Sequence, residues 1–452
     1  MKNYLEMNML ENYKNSVKER ADLGIPPEPL NAEQTAELIE LIKKGTKQDF
    51  DLVELLTQRV PAGVDDSAYV KAAFLSDLAN GKESCELINR KEATFYLGTM
   101  LGGYNVEQLI TLLDDTECGD TAVEALSNTL LVFDAFNDVA EMSKTSKNAL
   151  KVLNSWASAE WFLSQEEVPS EIKCTVFKVP GETNTDDLSP APDAWSRPDI
   201  PLHALSMYKM PREGLPENPL QEIAKLQEKG FPVALVGDVM GTGSSRKSAT
   251  NSVLWHIGEE IPFIPNKKTG GICIGEKVAP IFFNTMQDSG TLVFEADVEN
   301  LKTGNLISIF PYEGVIKNED GNEICSFKLK SETFLDEVRA GGRIPLIIGR
   351  SLTDKAREFL NLSPSEVFVR PGKGDESKEG YTLAQKMVGK ACGVDGVRPG
   401  IYCEPIMTTV GSQDTTGPMT RDELKELACL GFTSDLVMQS FCHTAAYPKP
   451  VD

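Results

Sequence analysis

The first third of the chain repeats one pattern, in which apolar residues recur at helical spacing between short polar or glycine-containing turns. The stretch NAEQTAELIELIKKG shows this pattern most clearly, because its apolar residues from Leu38 to Ile42 fall on one face. Asn31 is a good N-cap before this stretch, and Gly45 is a typical helix stop. Similar segments continue to about Leu163, so the sequence predicts a helical bundle or stacked helix pairs of the HEAT type.

Short apolar runs replace the helical spacing after about residue 172 and predict β-strands. The predicted strands are Cys174–Val179, Val233–Val239, Gly271–Gly275, Thr291–Val298 and Leu306–Tyr312. Helix-like segments lie between some of these strands, so we expect a mixed α/β domain. The polar, proline-containing stretch SQEEVPSEI precedes this domain and reads as a linker.

The amino-acid composition disfavours several classes of function for this chain. The chain has 452 residues, which predicts two or three domains, and its net charge of −23 argues against nucleic-acid binding through bulk charge. Its nine cysteines include no C-x-x-C pair, which favours reduced thiols in the cytoplasm over a disulfide framework. Its three histidines are too few for a histidine-rich metal site, and no apolar run is long enough to cross a membrane.

One stretch, VALVGDVMGTGSSRKSATNSV, joins a predicted strand to a predicted helix through a turn rich in glycine and serine. It is not a Walker A loop or a dinucleotide fingerprint, because Arg246 stands where either motif needs a glycine. Backbone N–H groups at a helix N-terminus nevertheless attract anions, and a guanidinium fits a carboxylate. The spacing alone leaves two interpretations open: an oxyacid site, or a well-capped helix with a surface arginine.

Two other polar loops stand out. The loop GETNTDDLSPAPDAWSRPDIP carries the acid pair Asp186 and Asp187, which could tune a neighbouring pKa or simply form a turn. Its Arg197 could bind a ligand or stack on the adjacent tryptophan. The loop SQDTTG, which begins at Ser412, could bind a polar ligand or form hydrogen-bonded turns.

Six long motifs together resemble bacterial aconitase B, the aconitate hydratase / 2-methylisocitrate dehydratase type. They are TNTDDLSPAPDAWSRPDIPLHAL, GDVMGTGSSRKSATNSVLWHIG, PNKKTGGICIG, APIFFNTM, AGGRIPLIIGR and the segment from VGSQDTTGPM to SFCHTAAYPKPVD. The resemblance covers essentially all 452 residues. It implies an all-α HEAT-like domain at residues 1–165, followed by an α/β swivel domain at 172–368. A linker at 369–380 and the beginning of an α/β cluster-binding domain at 381–452 would follow.

The resemblance also implies roles for individual residues. Ser244 would be the base that removes the proton next to a substrate carboxylate. Ser245 and Arg246 would hold a carboxylate and the charge that grows on it, and Arg197 would be a second carboxylate clamp. The family's substrate-contacting Gln-Asp-Thr corresponds to Gln413, Asp414 and Thr415.

A [4Fe-4S] cluster completes the site in this family, but its three cysteine ligands have no counterpart here and would lie beyond residue 452. We therefore expect no metal ligand in this chain, which would be an N-terminal piece of an aconitase, inactive in hydration by itself. The implied substrates are citrate, cis-aconitate, isocitrate and 2-methylisocitrate.

An alternative function is a regulatory or interaction module. Family resemblance associates the N-terminal helical region with homodimer formation, and the cluster-free protein with mRNA binding. A third alternative, a small isomerase subunit of the isopropylmalate type, is disfavoured by the helical N-terminal region and the SQDTTGPM segment.

Overall fold

A computed structural model of the chain describes residues 2–45, 50–194, 196–370, 377, 379–399, 401, 403, 405–413 and 434–440. Within these ranges, only the backbone is described at residues 2–9, 412, 413 and 439.

The described part up to residue 163 is helical. Its helices are α1 Lys2–Ala21, α2 Ala32–Lys44, α3 Leu52–Glu54, α4 Asp66–Ala79, α5 Arg90–Gly98, α6 Val106–Leu112, α7 Gly119–Asn128, α8 Ala135–Met142, α9 Lys147–Ser158 and α10 Glu160–Leu163. A π-helical turn, Leu55–Arg59, continues α3. Helix α2 packs on α4, α4 on α5, α5 on α7 and α7 on α9, so the helices pack in chain order, mostly with the next helix but one.

Helix α2 forms as its sequence predicts. The side chain of Asn31 accepts a hydrogen bond from the N–H of Gln34, whose own side chain accepts one from the N–H of Asn31. Gly45 ends the helix in the left-handed conformation, with φ of 62°. The apolar residues from Leu38 to Ile42 are all buried, so the predicted face is the face that packs in the core.

The second unit is an α/β domain built on a mixed sheet. Its strands are β1 Ile172–Asn184, β2 Val233–Thr242, β3 Glu259–Glu260, β4 Lys268–Thr269, β5 Ile272–Val278, β6 Leu292–Glu295, β7 Leu306–Phe310, β8 Val315–Asn318 and β9 Glu323–Ser326. Its helices are α11 Thr185–Leu188, α12 Ile200–Ala204, α13 Pro219–Gln227, α14 Arg246–Ile257, α15 Pro280–Asp288, α16 Phe334–Arg339 and α17 Arg343–Phe359. A 3₁₀ turn, Ala191–Asp193, lies between α11 and α12.

Seven strands form the main sheet in the order β6-β5-β2-β1-β7-β8-β9. Neighbouring strands from β6 to β1 are parallel, and the pairs from β1–β7 to β8–β9 are antiparallel. Strand β2 lies inside the parallel part, and its residues Val233–Val236 are all buried. A continuous apolar run is what a strand covered on both faces requires. Each of the five strands predicted from the sequence is present in this sheet.

Helix α17 belongs to the α/β segment of the chain but packs on α9. Its Leu352 and Ala356 join the apolar core of the helical region. The indole N–H of Trp161 donates to the hydroxyl of Thr353 at 3.1 Å. The two units therefore share buried surface.

The last described segments are helix α18 Leu383–Ala391 and two parallel strands, β10 Thr409–Gln413 and β11 Leu436–Ser440. The apolar side chains described from residue 383 onward are largely exposed, including Leu383 in α18 at 75% and Ile406 between α18 and β10 at 76%.

Candidate functional site

The loop singled out in the sequence, Gly243–Ser245, lies between β2 and α14. Strand β2 runs parallel to β1, with Asn184 paired to Thr242 at their ends. The turn after β1 and the loop after β2 therefore meet at one edge of the sheet. In open α/β sheets this carboxyl edge is where ligands bind.

Two glycines shape this loop. Gly241 and Gly243 have φ of 76° and 104°, which side chains rarely permit. A Cβ on Gly243 would lie 2.4 Å from the hydroxyl oxygen of Thr185 and 2.7 Å from Oδ1 of Asn184. The loop backbone thus rests directly on the turn after β1, and glycine is required there by contact as well as by conformation.

The loop presents the N-terminus of α14. Ser245 is the N-cap, but its side chain makes no capping hydrogen bond. Its N–H donates to the Thr185 hydroxyl at 3.3 Å, and the N–H of Arg246 donates to the carbonyl of Ser244 at 3.0 Å. Ser244 is exposed and Arg246 is half-buried. A helix N-terminus, two hydroxyls and a guanidinium next to one another suit an oxyanion.

The acid pair beside this loop serves mainly to form the turn. The N–H of Asn184 donates to Asp187 at 2.8 Å, and Asn184 accepts from the N–H of Asp186 at 2.9 Å, which makes a capping box. Asp187 also pairs with Arg212 at 3.3 Å, whereas Asp186 is exposed. The Asn-x-x-Asp spacing is a capping signal that the sequence contains. The contacts of Thr185 and Arg212 had no such signal.

Arg197 lies on the segment between α11 and α12. Its guanidinium donates to the carbonyl of Leu202 at 3.2 Å. Among the hydrogen bonds of the described residues, it makes none with Ser244, Ser245 or Arg246. The predicted clamp and the predicted base are therefore not joined by a hydrogen bond.

Gln413 is the last residue of β10, where its backbone pairs with Ser440. Asp414 and Thr415, the other two residues of the predicted Gln-Asp-Thr contact, lie outside the described residues. Their roles stay predictions.

The part of the chain that the structure describes contains no group of three His, Cys, Asp or Glu side chains that could hold a metal ion. Cys174 and Cys273 are fully buried, and burial raises the pKa of each thiol to about 12. Thiols in this state are poor ligands, because a metal binds the thiolate. These residues do not fit an iron–sulfur cluster.

Two family models match the chain. One, described as the aconitate B N-terminal domain, matches residues 12–162, and the other, described as the aconitate hydratase 2 N-terminus, matches residues 174–381. The chain belongs to the aconitate hydratase B family. It corresponds to an N-terminal portion of the family's members, as the descriptions of both family models state.

Proteins named aconitate hydratase B are 61% identical in Pseudomonas aeruginosa, 63% in Synechocystis sp. and 60% in Escherichia coli. Each match covers 98% of this chain and 51–52% of the relative. The chain thus spans about half the length of the aconitate hydratase B proteins it matches.

Among solved structures, a 3-isopropylmalate dehydratase from Methanocaldococcus jannaschii is similar at 20% identity and a TM-score of 0.31. The match covers 41% of this chain and 99% of that one.

In the described residues, no helix is long and apolar enough to span a membrane.

Proposed function

We propose that this chain supplies half of the active site of an aconitate hydratase, a hydro-lyase that interconverts citrate and isocitrate through cis-aconitate in the tricarboxylic acid cycle. The observation that carries the proposal is the exposed Ser244 beside Arg246 at the N-terminus of α14, at the carboxyl edge of a parallel sheet. The relatives carry the same activity in their names.

The chemistry requires positive charge near the substrate. Removing a proton next to a carboxylate creates an enediolate-like dianion, and preorganised donors aimed at that charge lower the barrier. Arg246 and the first-turn N–H groups of α14 are such donors. Ser245 adds a hydroxyl, and Arg197 would hold a second carboxylate of the same substrate.

Ser244 would act as the base that takes the proton. A serine hydroxyl has a pKa far above 7, so it needs positive neighbours and a site closed to water. Arg246 supplies a positive neighbour, but the site is not closed to water, because Ser244 is exposed in this chain. We therefore propose that covering polypeptide must close over the loop before proton transfer occurs, and that this chain alone is inactive.

The finer predictions form part of the same proposal. The serial packing from α2 to α9 supports a HEAT-like domain at residues 1–165. The mixed sheet supports a swivel domain at 172–368, followed by a linker at 369–380 and the start of a cluster-side domain at 381–452. The [4Fe-4S] cluster would come from polypeptide other than the described residues. Turnover of 2-methylisocitrate and a cytoplasmic location belong to this proposal as well.

The interaction-module alternative also stays a prediction. It comprises homodimer formation through the helical domain and mRNA binding. The net charge of −23 disfavours RNA, and no contact in the described residues favours either partner.

Citrate titration of the chain by calorimetry tests the site. Arg246→Gln removes charge-assisted hydrogen bonds worth about 1.5–3 kcal/mol, so we expect citrate affinity to fall about 10- to 100-fold. Lys268→Gln is the matched control, because it removes the same charge where the ammonium lies over the Trp255 ring. Equal losses in the two variants would contradict a specific site.

Complementation tests the base. Mixed with a polypeptide that supplies the other half of the relatives, the chain should gain aconitate hydratase activity. Ser244→Ala should then abolish turnover while citrate affinity changes less than about threefold. A Ser244→Ala mixture that retains near-normal turnover would exclude this serine as the base, and activity of the chain alone would refute the need for a second half.

A further inference from the structure

The segment that carries Arg197 is held at both ends. At its start and end, Ser189 Oγ and His203 Nε2 lie 2.8 Å apart, and both residues are buried. Burial lowers the pKa of His203, which favours the neutral ring in this contact. The contact between the Ser189 and His203 side chains therefore joins the two ends of the segment from 189 to 203.

Within this loop, Arg197 is linked to Asp199 through one residue. The guanidinium of Arg197 donates to the carbonyl of Leu202 at 3.2 Å. The N–H of Leu202 donates to Oδ1 of Asp199 at 3.2 Å, which makes Asp199 the N-cap of α12. The position of the Asp199 carboxylate thus determines where the first turn of α12 lies, and with it the anchor of Arg197.

Asp199 is in turn held by the helical region. Arg20, at the end of α1, donates from Nη1 and Nη2 to its two carboxylate oxygens at 3.0 and 2.6 Å. Its Nε donates to the carbonyl of Pro26 at 2.6 Å, and Arg20 is only 7% exposed. A two-point contact from a buried arginine fixes direction as well as distance.

A second arginine attaches the same two units at a different loop. Arg59 donates to Oδ1 of Asn266 at 3.1 Å, and Asn266 donates to the carbonyl of Pro27 at 2.9 Å. The ring of Phe263 packs edge-on against Phe95. This loop joins β3 to β4 and does not carry Arg197. Arg59 therefore attaches the helical region to the α/β domain without a direct hydrogen bond to the Arg197 loop.

We propose that Arg20 is a positioning residue, through which the helical region holds the Arg197 loop in the orientation that binds a substrate carboxylate. This inference rests on the proposed function, because the carboxylate-binding role of Arg197 belongs to it. By this proposal the helical region contributes to substrate binding through a series of contacts that runs from Arg20 to Asp199, Leu202 and finally Arg197.

Reciprocity gives the proposal a second consequence. If the Arg20–Asp199 contact favours the binding orientation of Arg197, then bound citrate must favour the Arg20–Asp199 contact by the same factor. Citrate should therefore slow hydrogen exchange in the amides of residues 197–205, and this slowing should shrink when Arg20 is replaced.

The experiment compares Arg20→Gln with Arg59→Gln in the full chain, by hydrogen exchange and by citrate calorimetry. Arg20→Gln should speed exchange at residues 197–205 at least tenfold and weaken citrate about tenfold. Arg59→Gln should change both by less than about threefold. In an Arg197→Gln background, Arg20→Gln should cause no further loss of citrate affinity, because both changes act on one contact.

The outcomes separate the two proposals. Unchanged exchange at residues 197–205 in Arg20→Gln overturns the positioning role, whatever the citrate result. Equal effects of Arg20→Gln and Arg59→Gln also overturn it, because general attachment would then explain both. Failure of the wild-type chain to bind citrate overturns the substrate-binding part together with the site proposed above, while the exchange data still decide whether Arg20 holds the loop.

If Arg20→Gln does not fold, Asp199→Asn tests the contact from the other side, since it keeps an N-cap but removes the charge. It should reproduce the faster exchange at residues 197–205 and the weaker citrate affinity. Normal values of both in a folded Asp199→Asn chain would count against the proposal.

Discussion

Lys71 lies on α4 in the core of the helical region and is a buried amine without a hydrogen-bond partner in the described structure. Its side chain has no exposed surface. Burial lowers the pKa of the amine from 10.5 to about 8, and the nearby Asp65 carboxylate only partly opposes this shift. Replacing Lys71 with methionine, which is similar in length but apolar, is expected to stabilise the helical region near neutral pH.

The magnitude follows from linkage between protonation and folding. A pKa unit corresponds to 1.36 kcal/mol, so a shift from 10.5 to about 8 destabilises the charged folded state by about 3 kcal/mol. Because the folded pKa is the lower one, this penalty is complete below pH 8. It decreases as pH rises from 8 to 10.5, where the unfolded chain also loses its proton.

Urea unfolding followed by circular dichroism measures the effect, with hydrogen exchange of α4 to assign the transition to the helical region. Lys71→Met should be more stable than wild type by about 3 kcal/mol at pH 7 and by about 1.4 kcal/mol at pH 9.5. Lys91→Met is the control, because Lys91 is an exposed lysine. It should change stability by less than about 0.5 kcal/mol at both pH values.

Two results would refute the reasoning. A Lys71→Met chain that is less stable than wild type at pH 7 would mean that the ammonium is stabilised by a partner when the protein is folded. A gain that does not shrink between pH 7 and pH 9.5 would mean that packing of methionine, and not removal of a charge, causes the effect.

The remaining predictions concern the site loop and the buried thiols. Gly243→Ala should destabilise the α/β domain by about 1–3 kcal/mol and weaken citrate binding, because its φ is 104° and its Cβ would lie 2.4 Å from the Thr185 hydroxyl. Urea unfolding and calorimetry check this, and unchanged stability would contradict the contact. Cys174 and Cys273 should stay unalkylated by iodoacetamide in the folded chain at pH 8 and react in urea, because burial raises their pKa to about 12. Mass spectrometry checks this, and labelling of either thiol in the folded chain would show that the site opens.

The sequence by itself determined the elements whose signals are local. The N-cap at Asn31, the stop at Gly45 and the apolar face between them predicted α2, because each acts within a few residues. The apolar run that begins at Val233 predicted a strand for the same reason, and the structure shows Val233–Val236 buried. The glycines before Ser244 predicted a strand-to-helix turn, because glycine adopts positive φ values that other residues rarely adopt.

Among the strands that escaped prediction, two belong to the main sheet. Strands β8 and β9 have only four residues each and are intermediate in burial at most positions, so their apolar pattern is weak. They form because each pairs with a neighbour in the sheet, which is a property of the assembled fold.

Only the tertiary structure decided the contacts between distant parts of the chain. The sequence predicts a helix around Lys71 but not its burial, which depends on the helices that pack around it. Likewise, Arg20 and Asp199 are 179 positions apart, and nothing in either local pattern indicates that they meet. Such contacts form when whole helices and strands pack together to remove apolar surface from water. Which polar side chains meet as a result cannot be predicted from the spacing of residues along the chain.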